Sequence, residues 1–254
     1  MDVPWTLEGE DPNLYNVDIS NNISGFMHSD FYTKDMRNGS RIHYLTKRNL
    51  PLNKKVLICS ATIDVLLYHK LFGKENIKSV ETLIHIKKKG KVIQDTTRAY
   101  SRSSMPGGIE KIQEVTKGLK IITFKKYDPI LNDPPLGIYF GNCSGYNNLK
   151  GENIAVVGTP HSNPSTYLLT AKAMGIELEK LNLEFTDQLV KRNGFEFMFK
   201  TFEDQRLQDI QMHFIERELL QAVGRARALR ENCTVYVFSN YPLPITDAPS
   251  LNYN

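Results

Sequence analysis

The fold class is decided by one stretch of the chain, NIAVVGTPHSNPSTYLLTAKAMG (153–175). It opens with a short, continuous apolar run of strand length, NIAVVG, which is typical of a strand buried on both faces. The part that follows, PSTYLLTAKAMG (164–175), has helical spacing and stops at Gly175, the residue type favoured just beyond a helix end. This stretch therefore predicts a strand, a loop and a helix in succession.

The same alternation recurs along the chain. Further strand candidates are VLICSA (56–61), TLIHI (82–86), KVIQDTT (91–97), LKIITF (119–124), LGIYFG (136–141) and CTVYVFS (233–239), and helical patterns cover 63–73, 108–118 and roughly 204–229. Short apolar strands that alternate with helices favour an α/β fold, a three-layer domain with a mostly parallel sheet. We expect this domain over 51–242, after an irregular polar extension or neighbour-domain remnant at 1–50 and before a tail at 243–254.

The composition is that of a globular protein with a mildly basic charge. Thirty-two Lys and Arg residues against 28 Asp and Glu residues give a net charge of +4, which permits a polyanionic partner without requiring one. Cys59, Cys143 and Cys233 are widely separated and form no CxxC pair, so we expect buried thiols and no metal site. An acidic amino terminus and the lack of a membrane-length apolar run predict a cytoplasmic protein without membrane contact.

The segment QAVGRARALR (221–230) is the main candidate for phosphate chemistry. It places Arg225, Arg227 and Arg230 on the last predicted helix, where the latter two share a face because they are three residues apart. Arginine forks match phosphate oxygens bidentately, and an arginine aimed at a γ-phosphate stabilises transition-state charge. A solvated basic helix face is the alternative interpretation.

This segment resembles motif VI of superfamily 2 helicases, QxxGRxxR, at Gln221, Gly224 and Arg225. The resemblance implies that Arg225 is an arginine finger, that Gln221 positions nucleotide or water, and that Gly224 lies at the nucleotide. The last arginine of the pattern falls on Ala228, so Arg227 or Arg230 would have to replace it.

Two further strings resemble motifs of the DinG/XPD-like branch of these helicases. VLICSATI (56–63) resembles motif III, which implies that Ser60 and Thr62 couple the ATP state to nucleic-acid binding. FGNCSGYNNLKGENIAVVGTPH (140–161) resembles motif V, which implies a nucleotide-facing loop with Gly145, Asn147 and Gly151. Asn147 stands where the family usually has aspartate and carries no charge. An ordinary turn is the alternative interpretation of each string.

LKIITFKKYDP (119–129) occupies the place of motif IV in this order. Its predicted strand ends at Lys125, Lys126 and Tyr127, and a basic–aromatic tip suits contact with a phosphate backbone or stacking on a base. A solvated strand end is the alternative. Because ligands of parallel sheets bind beyond the carboxyl ends of the strands, we expect the motif-bearing loops at that edge.

Motifs III to VI in family order imply a RecA-like, P-loop-NTPase-like carboxy-terminal helicase lobe. The implied ligands are nucleic acid, single-stranded DNA in preference to RNA, together with ATP and Mg²⁺. The sequence has no GxxxxGK[ST] and no DEAH-like box, so we expect a partner lobe or subunit with a Walker A motif and little ATPase activity without it. The alternatives are a catalytically silent nucleic-acid-binding or docking module and an unrelated α/β enzyme for a phosphorylated ligand.

Overall fold

The computed structural model describes residues 21–35, 41–47, 51, 53–59, 62–63, 65–80, 88–179 and 181–247. The chain divides into two compact units, residues 1–56 and residues 57–254. The elements of the first unit are helix α1 (Asn21–Met27) and an antiparallel hairpin of strands β1 (Phe31–Asp35) and β2 (Arg41–Leu45). The expectation of an irregular segment at 1–50 is therefore wrong for these residues.

The second unit carries the alternating elements that the sequence predicts. They are α2 (Val65–Phe72), β3 (Lys91–Asp95), α3 (Ile109–Val115), β4 (Lys120–Ile122), α4 (Asp128–Leu131), β5 (Ile154–Val157), α5 (Pro164–Ala173), β6 (Thr186–Arg192), β7 (Phe195–Thr201), α6 (Gln205–Val223) and β8 (Thr234–Phe238). Short 3-10 helices lie at Lys74–Asn76 and Met105–Gly108. None of the helices within the described ranges combines the length and the apolar character needed to span a lipid bilayer.

The central sheet has four parallel strands in the order β3-β8-β5-β4. The last strand of the chain is thus inserted between the first and the third strands of the sheet. This order differs from those of the dinucleotide-binding and flavodoxin-like sheets. The α/β class with a parallel sheet is confirmed, and the strands predicted at 91–97, 119–124, 153–158 and 233–239 all lie in it.

Side chains of β5 alternate between two apolar clusters, one on each face of the sheet. Ile154 and Val156 pack in the cluster that contains Leu219 of α6, whereas Ala155 and Val157 pack in the cluster that contains Ile112 of α3. Successive residues of a strand point to opposite faces, so a strand with no exposed residue must be covered on both. Helices therefore flank the sheet on both sides, which explains the continuous apolar run at β5.

Helix α6 begins where the side chain of Asp204 accepts hydrogen bonds from the backbone N–H groups of Arg206 (3.0 Å) and Leu207 (3.3 Å). This N-cap satisfies amide donors that have no partner within the helix. The helix ends at Val223, with Gly224 as its C-cap, so its predicted extent to residue 229 is wrong.

The arginines that follow are consequently outside the helix, Arg225 and Arg230 in turns and Arg227 between them, and no helix face is shared by Arg227 and Arg230. Arg227 adopts a left-handed backbone conformation, with φ of 58°. Such a conformation interrupts a right-handed helix and is unfavourable for a residue with a Cβ atom.

Strands β6 and β7 form an antiparallel hairpin that we did not predict. Asn193 (φ 52°) and Gly194 (φ 84°) connect them, as a two-residue turn of primed type requires. Val190 and Phe199 on the inner face join the same apolar cluster as α6. The Asn-Gly pair between alternating residues was the sequence signal for this hairpin.

Two of the predicted strands are not formed as expected. Of VLICSA (56–61), residues 56–59 form no strand, and Leu57 (88% exposed) and Cys59 are exposed. The expectation of a buried strand with a buried thiol at this place is wrong. LGIYFG (136–141) contributes a single parallel bridge between Thr123 and Tyr139. TLIHI (82–86) and Ser60 lie outside the described residues.

Candidate functional site

Two loops meet at one edge of the parallel sheet. The glycine loop (residues 141–151) precedes β5, and the arginine loop (residues 224–231) precedes β8. Because β5 and β8 are neighbouring parallel strands, both loops lie at the amino ends of the strands. The expectation that these motifs lie beyond the carboxyl ends is therefore wrong, although the sheet does bring them together.

Guanidinium groups of the arginine loop donate hydrogen bonds to the glycine loop. Arg225 donates from Nη1 to the carbonyl of Tyr146 (3.0 Å) and from Nε to the carbonyl of Gln221 (3.1 Å). Arg227 donates from Nη2 to Oδ1 of Asn147 (2.6 Å). Two of the three predicted arginines thus face the loop that carries the predicted glycines.

Backbone contacts fix the arginine loop at the edge of the sheet. The amide of Gly151 donates to the carbonyl of Ala226 (3.0 Å), and the amide of Gly90 donates to the carbonyl of Ala228 (2.7 Å). A Cβ atom at Gly90 would lie 2.3 Å from the carbonyl oxygen of Cys233, a distance that no side chain can accept. Gly90 is therefore a structural requirement of this site that the sequence did not reveal.

The arginine loop presents uncompensated positive charge. Across the described part of the chain, no carboxylate forms an ion pair with Arg225, Arg227 or Arg230. Lys150 of the glycine loop pairs with Glu231 (3.2 Å). Because the partner of Arg227 is a neutral amide, its guanidinium keeps its full charge for an anion.

The exposure of the three arginines separates their possible roles. Arg225 is half-buried, whereas Arg227 and Arg230 are exposed. A guanidinium has five N–H donors, so Arg227 keeps donors that its bond to Asn147 does not use. Arg227 and Arg230 are the groups with access to a ligand outside this chain.

Glycines allow the glycine loop to turn sharply beside the arginines. Gly145 (φ 83°) and Gly151 (φ 77°) adopt left-handed conformations that residues with a Cβ atom rarely adopt. Gly145 has open space where a Cβ would stand.

In the same loop, burial raises the pKa of the Cys143 thiol to about 12, aided by the charge of Glu218. Cys143 is therefore a neutral thiol, as its predicted structural role requires.

Gln221 connects the end of α6 to the predicted motif III. Its Nε2 donates to Oγ1 of Thr62 at 3.0 Å, across 159 residues of sequence. Its carbonyl accepts the Nε–H of Arg225, so one residue links Thr62 with the arginine loop. Gly224 caps the helix between them.

The predicted basic–aromatic tip lies at the opposite edge of the sheet, beyond the carboxyl end of β4. Lys125 and Lys126 are exposed there. Tyr127 is only 2% exposed, and its hydroxyl donates to the carbonyl of Arg102 (2.9 Å). The hypothesis that Tyr127 stacks on a base is therefore wrong, because its ring belongs to the core.

His161 follows β5 at the carboxyl edge. Its ring stacks on Phe199 with centroids 5.3 Å apart, and Nδ1 lies 3.2 Å from Nε2 of Gln211. Gln211 Nε2 also donates to the carbonyl of Lys200 (3.1 Å), which identifies it as the donor and Nδ1 as the acceptor. Burial lowers the pKa of His161 to about 4, so the ring is neutral and acts as a packing residue.

Comparison with known proteins gives no relative from which a function could be transferred. No protein-family model, no curated protein and no solved structure matches this chain. Its function is therefore inferred from its own motifs and from the geometry of the two loops.

Proposed function

We propose that the chain is the carboxy-terminal, RecA-like motor lobe of a DinG/XPD-like superfamily 2 helicase. The observation that carries the proposal is that Arg225 and Arg227 both bind the glycine loop, at one edge of one parallel sheet. The two segments that resemble motifs V and VI are 80 residues apart at the Arg227–Asn147 contact. The pairing of β5 with β8 brings the two loops to one edge, and the guanidinium contacts join them there as a shared site requires.

The geometry favours a division of work among the arginines that differs from the family pattern. Arg225, half-buried and bonded to two backbone carbonyls, positions the glycine loop. Arg227 and Arg230 are exposed, and in this proposal their guanidinium groups contact a phosphate. We assign the finger role to Arg227, since most of its donors are not engaged within the chain.

The nucleotide in this proposal is ATP with Mg²⁺, held mainly by a second lobe that carries a Walker A motif. This chain would contact the phosphates through Arg227 and Arg230, and through backbone N–H groups of the glycine loop near Gly145, where open space permits close approach. Bound ATP supplies the phosphoryl group, and the arginines stabilise the charge that develops during its transfer. We place the Mg²⁺ ligands in the other lobe, because in such ATPases the metal is held beside the Walker motifs.

Nucleic acid, single-stranded DNA in preference to RNA, is proposed to lie along the carboxyl edge. Lys125 and Lys126 are exposed there and would pair with backbone phosphates. Gln221 and Thr62 would transmit the state of the nucleotide, since their hydrogen bond joins the arginine loop to the predicted motif III.

Reconstitution tests this function. The chain would be mixed with candidate Walker-A-containing lobes, and ATP hydrolysis measured with and without single-stranded DNA. We expect DNA-stimulated hydrolysis only in a mixture, because each lobe provides part of the site. A rate equal to the sum of the separate components would contradict the proposal.

The second candidate is a catalytically silent nucleic-acid-binding or docking module. It is favoured by the two carbonyl contacts of Arg225, which suit a purely structural role. The same experiment separates the two functions: a complex that binds DNA without stimulated hydrolysis would support the silent module.

A further inference from the structure

A cleft of about 340 Å³ lies at the carboxyl ends of β3 and β8, on the edge opposite the arginine loop. Thr96 and Thr97 after β3 and Asn240 after β8 line it with polar groups, and Phe195 and Phe197 of β7 line it with aromatic rings. Its volume falls in the lower part of the range for small-molecule sites. Neither the motifs nor the proposed nucleotide site accounts for this cleft.

The aromatic lining is held in place by the core. Phe197 meets Phe199 edge-on at 5.6 Å and Tyr241 edge-on at 6.2 Å, and both of these partners are buried. Phe195 lies two residues away on the same face of β7 and is half-buried. Half-buried aromatic rings with a fixed position suit the stacking of a planar ring.

Asn240 offers an acceptor to the cleft. Oγ1 of Thr159 lies 2.6 Å from the carbonyl of Ala99, 2.8 Å from Oγ of Ser239, which can donate to it, and 2.8 Å from Oδ1 of Asn240. A hydroxyl has one proton, and the carbonyl of Ala99 can only accept, so that proton belongs to Ala99. Asn240 must then turn its amide nitrogen toward Thr159, because the two amide ends are interchangeable in shape. Its amide oxygen is left for a ligand.

Thr97 also presents an acceptor to the cleft, whereas the hydroxyl of Thr96 can donate or accept. The hydroxyl of Thr97 donates to Oδ1 of Asp95 (2.6 Å), so only its lone pairs remain. The carboxylate of Glu196 is not one of these groups, because Glu196 alternates with Phe195 and Phe197 along β7 and pairs with Lys191 on the outer face of the hairpin (3.6 Å). The cleft therefore favours a planar ring that carries hydrogen-bond donors.

We propose that this cleft binds a nucleobase with an exocyclic amino group, in a single strand whose phosphates lie on Lys125 and Lys126. The inference rests on the proposed function, since it names what the strand does at the carboxyl edge. Strands β3 and β4 are the outer strands of the sheet, so the cleft and the lysines are about 14 Å apart across three strand spacings. A short stretch of single strand spans that width.

Fluorescence anisotropy of the full chain with labelled oligonucleotides tests the inference. Strands of deoxycytidine, deoxyuridine and abasic sites would be compared, since they share a phosphate backbone. The bases of the first two differ in the exocyclic group, which is amino in cytosine and carbonyl in uracil, and in N3, which accepts in cytosine and donates in uracil. We expect the wild-type chain to bind deoxycytidine strands most tightly and abasic strands least tightly. Ribocytidine strands would show whether the sugar matters.

Two variants and a matched control test whether the base binds in the cleft. Phe195→Leu, which keeps an apolar side chain, should weaken binding of deoxycytidine strands about 5-fold to 100-fold and leave abasic strands unaffected. Asn240→Leu, which removes the amide oxygen, should reduce the preference for deoxycytidine over deoxyuridine. Val115→Ala removes an apolar side chain of α3 that is 48% exposed and does not line the cleft, and should change nothing.

Each outcome decides the matter. Equal affinity for base-containing and abasic strands, or binding that Phe195→Leu leaves unaltered, overturns the inference while the proposed phosphate contacts stand. Binding of no strand at all overturns both this inference and the nucleic-acid part of the proposed function.

Discussion

Arg227 reaches 80 residues back along the chain and donates a hydrogen bond of 2.6 Å to Oδ1 of Asn147. The donor is charged and the acceptor is neutral, so the contact orients the guanidinium without neutralising it. An aspartate at the same place would have formed an ion pair within the chain. The guanidinium of Arg227 is thus held in a fixed orientation and keeps its positive charge. Both properties are required for binding a phosphate from outside the chain.

The left-handed backbone conformation of Arg227 can be tested by two substitutions at this residue. Arg227→Ala keeps the unfavourable φ of 58° and removes the guanidinium contact, whereas Arg227→Gly removes the same contact and relieves the backbone. We expect the glycine variant to be more stable than the alanine variant by about 1 kcal/mol. Free energies of unfolding in urea measure the difference, and an alanine variant as stable as the glycine variant would show that the left-handed conformation is not adopted.

Gly90 tests how tightly the arginine loop is held. A methyl group there would meet the carbonyls of Cys233 at 2.3 Å and Glu231 at 2.7 Å, so Gly90→Ala must displace backbone. We expect a loss of about 2–3 kcal/mol in the free energy of unfolding. Gly107→Ala is the control, since a Cβ there has nothing within 4 Å, and it should change stability by less than about 0.5 kcal/mol. Similar effects of the two substitutions would contradict the packing at Gly90.

His161 predicts a pH dependence of stability. Burial lowers the pKa of its ring to about 4 from 6.5, so the unfolded chain binds this proton at a higher pH than the folded chain does. The stabilising contribution is complete above about pH 6.5 and is lost as the pH falls toward 4, by roughly 2–3 kcal/mol. The difference in unfolding free energy between wild type and His161→Gln, measured by urea titration from pH 7 to 4, isolates this group. A difference that does not vary with pH would mean that the ring is not buried.

Lys125 and Lys126 predict a salt dependence of nucleic-acid binding. Replacing both by alanine should weaken binding of all strands alike and lower the slope of log affinity against log salt by about 1–2. Tyr127→Phe, which removes the hydroxyl bond to Arg102, should cost about 1 kcal/mol of stability and leave affinity unchanged. If Tyr127→Phe lost affinity for nucleic acid and the lysine variant did not, Tyr127 and not the lysines would be the contact residue.

The sequence predicted the sheet well because buried parallel strands have a local signature. The apolar runs at β5 and β8 need no alternation, and the glycines and polar residues that flank them fix their limits. The strand order was not predictable from such runs, since insertion of β8 beside β3 depends on contacts between distant residues. The same kind of apolar run at residues 56–59 is exposed and forms no strand. An apolar run alone therefore does not establish that a segment is buried.

The sequence identified residues that meet at the candidate site, but not the edge of the sheet on which they lie or the end of the helix that precedes them. Arg225, Arg227 and the glycine loop do meet at one edge of the sheet, as the expectation of a shared edge required. The end of α6 at Val223 could not be predicted, because the alanines and arginines that follow it also favour a helix. Tyr127 was misassigned since its burial depends on the segment that carries Arg102, which no local pattern reveals.

The most direct test of the central claim is the rate of ATP hydrolysis in a single turnover, measured on a reconstituted pair of lobes saturated with nucleotide and single-stranded DNA. Arg227→Ala should lower that rate about 1,000-fold or more with little change in ATP affinity. Arg217→Ala, which removes an arginine of α6 that lies over the Phe214 ring, should leave the rate unaltered. Equal rates for wild type and Arg227→Ala would contradict the claim that this arginine reaches a triphosphate held by another lobe.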